Sequence, residues 1–82
     1  MRNKKSGIVV KSFRNVGVDG RHLFVSLWDG IKEISSIAYN QGNIINGLSI
    51  GIKIDIICIM EVNSWNGIKK VQLNIRDTKI RE

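Results

Sequence analysis

Apolar and polar side chains alternate with a period of two along much of the chain, as in strands that bury one face. The alternation is cleanest from His22 to Trp28. There Leu23, Val25 and Leu27 share one face, with His22, Phe24, Ser26 and Trp28 on the other. Ile8 to Phe13 is a β-branched run and a first strand candidate. Between these two, Asn15-Val-Gly-Val-Asp-Gly20 carries two glycines and an Asp-Gly pair, strong turn signals. Asp29-Gly30 supplies a second hairpin turn, and residues 31–39 form a third strand. Tyr39 shares a face with Ile37 and is expected in the core.

The period then changes. Between Asn40 and Gly51, Ile44, Ile45 and Leu48 fall at helical spacing, with Asn40 as N-cap and Gly47 or Gly51 as the stop. A short helix of about two turns is expected, weakened by its Asn and Gly content. Ile52 to Val62 returns to β alternation, with Ile54, Ile56, Cys58 and Met60 on one face. Asn63-Ser-Trp-Asn-Gly67 reads as a tight connection with Trp65 at its tip. In the last strand Val71, Leu73 and Ile75 alternate with Lys70, Gln72, Asn74 and Arg76. The resulting order, β-β-β-α-β-β, is the plan of the OB-fold, a five-stranded Greek-key barrel. An SH3-like barrel has no natural slot for the Asn40–Gly51 helix.

Composition supports an all-β chain. Fifteen isoleucines and seven valines favour pleated, half-buried surfaces, and proline is absent. Eighty-two residues, 43% of them hydrophobic, suffice for one small core. Residues 1–5 read as a mobile basic tail preceding a domain over residues 6–82; with no apolar run behind it, the tail is not a signal peptide. No run approaches the length needed to span a bilayer. One cysteine and one histidine exclude a disulfide scaffold or a zinc finger, and no metal or cofactor is expected in this chain. Cys58, inside a strand, is read as a small buried apolar residue.

Charge changes the picture further. The net charge is +6, and ten of the thirteen Lys/Arg lie in residues 1–14 and 69–82. If the two ends meet, those charges pool into one basic surface that suits a polyanion. OB-folds grip their ligands over strands 2 and 3 with the loops joining strands 1–2 and 4–5. Arg14 and Arg21 frame the first of these loops, while Lys69 and Lys70 follow the second. Such cations would neutralise a phosphate backbone. Trp65 would stack an unpaired base, or else fold back to cap the barrel. Phe24 and Trp28 face outward on strand 2, either toward ligand or toward a packing partner. Arg76 shares a polar face with Gln72 and Asn74.

The residues also resemble a known family. Glu61-Val-Asn-Ser-Trp-Asn-Gly67 and Val71-Gln-Leu-Asn-Ile-Arg-Asp77 are similar to the penultimate-strand turn and closing strand of the C-terminal OB domain of RecJ-type single-strand-specific DNA exonucleases. His22-Leu-Phe-Val-Ser-Leu-Trp-Asp-Gly30 resembles that domain's second strand and turn, and Ser36-Ile-Ala-Tyr-Asn40 its third. The resemblance runs from about Gly7 to Ile80, nearly the whole chain. It implies a non-catalytic single-stranded-DNA-binding module in a bacterial cytoplasmic 5′-to-3′ exonuclease of recombination and repair. It further implies partner nuclease domains that use manganese or magnesium; their DHH-type motifs are absent here. Phe24 and Trp28 stand where relatives commonly carry polar or basic residues.

Two other functions compete. One is an OB-fold that docks against protein through Phe24 and Trp28. The other is a free-standing RNA-binding OB protein, which fits the charge but not the Trp-Asn-Gly turn.

Overall fold

Strand β1 (Arg2–Val16) is shared between two neighbours in the computed structural model, which describes residues 2–81. Its first half pairs with β4 (Lys53–Trp65), from Arg2 opposite Ile59 to Val9 opposite Lys53. Its second half pairs with β2 (His22–Trp28), from Val9 opposite Trp28 to Val16 opposite His22. Register shifts between Lys5 and Ile8 and between Val10 and Ser12 bend the strand enough to serve both partners. β3 (Glu33–Ala38) follows β2, and β5 (Ile68–Ile80) pairs with β4. Parallel pairing of β3 with β5 closes the barrel in the order β1-β2-β3-β5-β4. This is the five-stranded barrel of an OB-fold.

Residues 2–5 are therefore strand and not tail. Lys4 and Lys5 sit opposite Ile57 and Ile56. Backbone hydrogen bonding to β4 needs no apolar side chain, and it covers an edge that would otherwise invite aggregation. Met1 lies outside the described residues.

The expected α-helix is a 3-10 helix over Gly42–Gly47. Asn40 does not cap it: its φ is 59°, and its N–H donates to His22 Nδ1 at 2.9 Å. Six residues rich in Gly and Asn are too few for the hydrogen bonds that would propagate an α-helix. The segment still packs Ile44, Ile45 and Leu48 against the core.

That core matches the inward faces read from the alternation except at Met60 and Val71, which are about half exposed where β4 and β5 run out as a hairpin. Leu23, Val25 and Leu27 from β2 meet Ile54, Ile56 and Cys58 from β4, with Leu73 and Ile75 from β5. Cys58 is fully buried, and burial pushes its thiol pKa up. Ser36 is also wholly buried beside Leu73 at the β3–β5 closure, where its hydroxyl donates to the Val25 carbonyl at 2.6 Å. A satisfied hydroxyl there removes the cost of burying a polar group.

Candidate nucleic-acid interface

The outer face of β2, β3 and β5 carries two parallel rows of side chains. Ladder pairing sets Arg14, Phe24, Ile37 and Asn74 side by side in the first. Ser12, Ser26, Ser35 and Gln72 form the second, and Glu61 on β4 ends it. Ile37 is buried within this outer face, outside the barrel core cluster. Ser35 and Gln72 of the second row, with Phe24 of the first, floor a trough on this face.

The β4–β5 hairpin extends beyond the barrel and overhangs this trough. Its turn is Asn66-Gly67 alone, with φ of 48° and 76°, two positive values that define a primed hairpin turn. Trp65 is consequently the last residue of β4, opposite Ile68, and not the tip of a five-residue loop. It is 74% exposed and does not cap the barrel. A groove of about 380 Å³ is lined by Trp65 and Ile68 on one side and Phe24 and Ser35 on the other, with Asn63, Lys70 and Gln72 among its walls. The Arg14 guanidinium lies 5.0 Å from the centre of the Phe24 ring, holding one cation at the groove margin.

The structure thus unites Trp65, Phe24, Lys70 and Arg14, and sets the other sequence-derived candidates apart. Lys69 pairs with Ser64 and takes the opposite face of the hairpin from Lys70. It lines only a second groove, of about 400 Å³, at the barrel end with Lys5, Lys32 and Met60, whereas Lys70 borders both grooves. Trp28 ends β2 opposite Val9 and Glu33, four residues from Phe24 and outside the Trp65 groove. Arg21 closes the β1–β2 loop, where its Nε donates to the Val18 carbonyl at 3.3 Å. Arg76 lies beyond Asn74 in another pocket, beside Tyr39. Tyr39 is 50% exposed and not in the core, because the inward positions of β3 are Ile34, Ser36 and Ala38.

Sequence reasoning missed Ser35, Asn63 and Ile68 as groove residues. Asn63 and Ile68 become visible once the Asn-Gly pair is read as a two-residue turn, because pairing then puts Asn63, Trp65, Ile68 and Lys70 on one face. Nothing local marks Ser35. The terminal cations do not pool simply either. Lys4 and Lys79 share a surface with Asp55 and Asp77 outside β4. Arg81 is paired with Asp55, Nε to Oδ1 at 2.8 Å.

The β1–β2 loop is fastened to the 3-10 helix at the margin of this face. The Asn15 side-chain amide donates to the carbonyls of Gly20 and Gly42, both at 3.0 Å. Gly42 N–H donates in turn to the Arg21 carbonyl at 2.9 Å.

A barrel of this topology with an aromatic, cation-lined outer face narrows the family, and comparison with known proteins decides it. The family model described as RecJ OB domain matches residues 4–77. The chain belongs to the RecJ OB domain family. It is also 28% identical over 74 residues to the single-stranded-DNA-specific exonuclease RecJ of Bacillus subtilis (strain 168), a match covering 90% of this chain and 9% of that protein. The chain thus spans under a tenth of that relative's length. Among solved structures, a chain from Leishmania major Friedlin provisionally described as an aspartyl-tRNA synthetase superposes with a TM-score of 0.69 at 13% identity. That match covers 93% of this chain and 17% of the other, and at such low identity it speaks for the fold alone. Among the described residues of this RecJ OB domain, no group of three or more His, Cys, Asp or Glu side chains could hold a metal ion. No helix is long and apolar enough to cross a membrane.

Proposed function

We propose that this RecJ OB domain is a non-catalytic module that binds single-stranded DNA for a RecJ-type 5′-to-3′ exonuclease of recombination and repair in the bacterial cytoplasm. The observation that carries the reading is the groove in which Trp65 and Phe24 stand with Lys70. Two aromatic side chains offer stacking surfaces to bases that a duplex keeps paired, and base–aromatic stacking is worth roughly 1–3 kcal/mol per base. Lys70 and Arg14 supply charge for the phosphates between stacked bases. Metal-dependent cleavage belongs, in this reading, to separate nuclease domains that use manganese or magnesium.

Trp65→Ala tests the reading on two axes. Its side chain is largely exposed. The substitution should therefore leave thermal stability near wild type while weakening oligo-dT binding by roughly 1–3 kcal/mol, with little preference among bases. A variant that binds oligo-dT as tightly as wild type would overturn the stacking role.

A second reading, docking onto protein, has its own observation. The hairpin also exposes Met60 and Val62 away from the groove, at 49% and 58%, and Val71, at 48%, where it borders the groove. Such a surface suits the nuclease domains of the same protein, and it leaves the Trp65 groove open. Association that does not respond to salt would favour docking, since only phosphate contacts release counterions.

A further inference from the structure

Tyr39 stands at the other end of the face that carries Trp65. It is held edge-on against His22, with ring centres 5.2 Å apart and planes at 78°. His22 is fixed in turn, because its Nδ1 accepts the Asn40 N–H at 2.9 Å. One face of an exposed ring is thereby presented at the rim of a pocket of about 350 Å³ shared with Asn40, Gln41, Asn74 and Arg76. Gln41 is anchored through its Nε2, which donates to the Ile75 carbonyl at 2.9 Å. Arg76 sits at the register shift of β5 that separates Ile75 from Asp77, and bulges of this kind re-aim a side chain.

The two pockets are linked. Outward positions on β5 run from Lys70 through Gln72 and Asn74 toward Arg76, a cation at each end with amides between. The six steps from Lys70 to Arg76 span about 20 Å. That length suits roughly four nucleotides, the lower end of what a single OB-fold covers.

We infer that Tyr39 and Arg76 form a second nucleotide subsite, in which Tyr39 stacks an unpaired base and Arg76 takes an adjacent phosphate, so that the bound strand follows β5 from Trp65 to Tyr39. This rests on the reading of the face as a single-strand-binding surface. The surroundings favour a nucleotide over an apolar protein segment. Amides from Asn40, Gln41 and Asn74 meet base edges, whereas the exposed apolar side chains of β4 and β5 lie at the hairpin.

The test is fluorescence anisotropy of a labelled oligo-dT long enough to reach both pockets. Wild type, Tyr39→Ala, Tyr39→Phe, Arg76→Ala and Trp65→Ala are compared over a salt series, with thermal melts alongside. Tyr39→Ala should weaken binding about ten-fold, while Tyr39→Phe, which keeps the ring, binds as wild type. Arg76→Ala should flatten the slope of log affinity against log salt by about 0.7, one single-strand phosphate contact. Arg76 is exposed, so this arm decides the matter even if Tyr39→Ala does not fold. Wild-type affinity and slope in both Tyr39→Ala and Arg76→Ala, with Trp65→Ala weakened, would overturn the second subsite and leave the first standing. Failure of wild type to bind oligo-dT would overturn both.

Discussion

The Arg14 guanidinium carbon lies 5.0 Å from the centre of the Phe24 ring, and the two residues are direct partners across the β1–β2 ladder. A cation over an aromatic face at an exposed site contributes about 0.5–1 kcal/mol. A double-mutant cycle with Arg14→Ala and Phe24→Ala should return a coupling of that size in urea unfolding. Additive single effects would show that the two side chains act independently.

Two glycines separate backbone geometry from packing. Gly67 adopts φ of 76° in the hairpin turn, with open space where a side chain would go. Gly67→Ala should cost about 1–2 kcal/mol through strain alone, lowering the melting temperature by several degrees. Gly42 differs, because a Cβ there would overlap the Gly20 carbonyl oxygen and press on Asn15 Nδ2. Gly42→Ala should therefore destabilise more than Gly67→Ala and detach the β1–β2 loop from the 3-10 helix. Thermal melts of the two variants rank them, and the reverse order would refute this packing argument.

How much of this was legible depended on whether the signal was local. Inward and outward faces of β2 followed from alternation, because Leu23, Val25 and Leu27 must leave water while Phe24 and Trp28 take the other side. Trp65 stood out as an aromatic within a polar connection, and Lys70 as a cation following it. Residues 2–5 did not read as strand, since their order comes from backbone pairing with Ile56–Ile59, far away in sequence. Lys69 and Lys70 could not be told apart until the turn length set which one faced the groove. Tyr39 was misplaced because Ile37, on the same face, is buried on the outside of the barrel between Phe24 and Asn74. Apolarity alone did not say which side was the core.

Acid should loosen the join between β1 and the end of β5. Asp55 Oδ1 accepts the Gly7 N–H at 2.8 Å and pairs with Arg81. The Gly7 hydrogen bond first, and then Arg81, hold its pKa below the ordinary carboxylate value. A lowered carboxylate pKa adds stability that is complete above the unfolded-state value and is lost as pH falls through the folded one. Asp55→Asn should thus melt earlier than wild type at neutral pH, with the difference closing in strong acid. A pH-independent difference would show that the charge plays no part.

Incubation of the chain with 5′-labelled single-stranded DNA and manganese or magnesium should leave the oligonucleotide intact. The described carboxylates are dispersed, and metal-ion catalysis needs several ligands in one place. Metal-dependent shortening by a preparation free of contaminating nuclease would contradict this.

The central claim is recognition of unpaired nucleic acid through stacking and phosphate contacts. Anisotropy of labelled oligo-dT, single-stranded against its duplex, at two salt concentrations tests it most directly. The account predicts clear preference for the single strand, with affinity falling as salt rises and a shallower fall in Lys70→Ala. Equal binding of duplex and single strand, or binding that ignores salt, would contradict it.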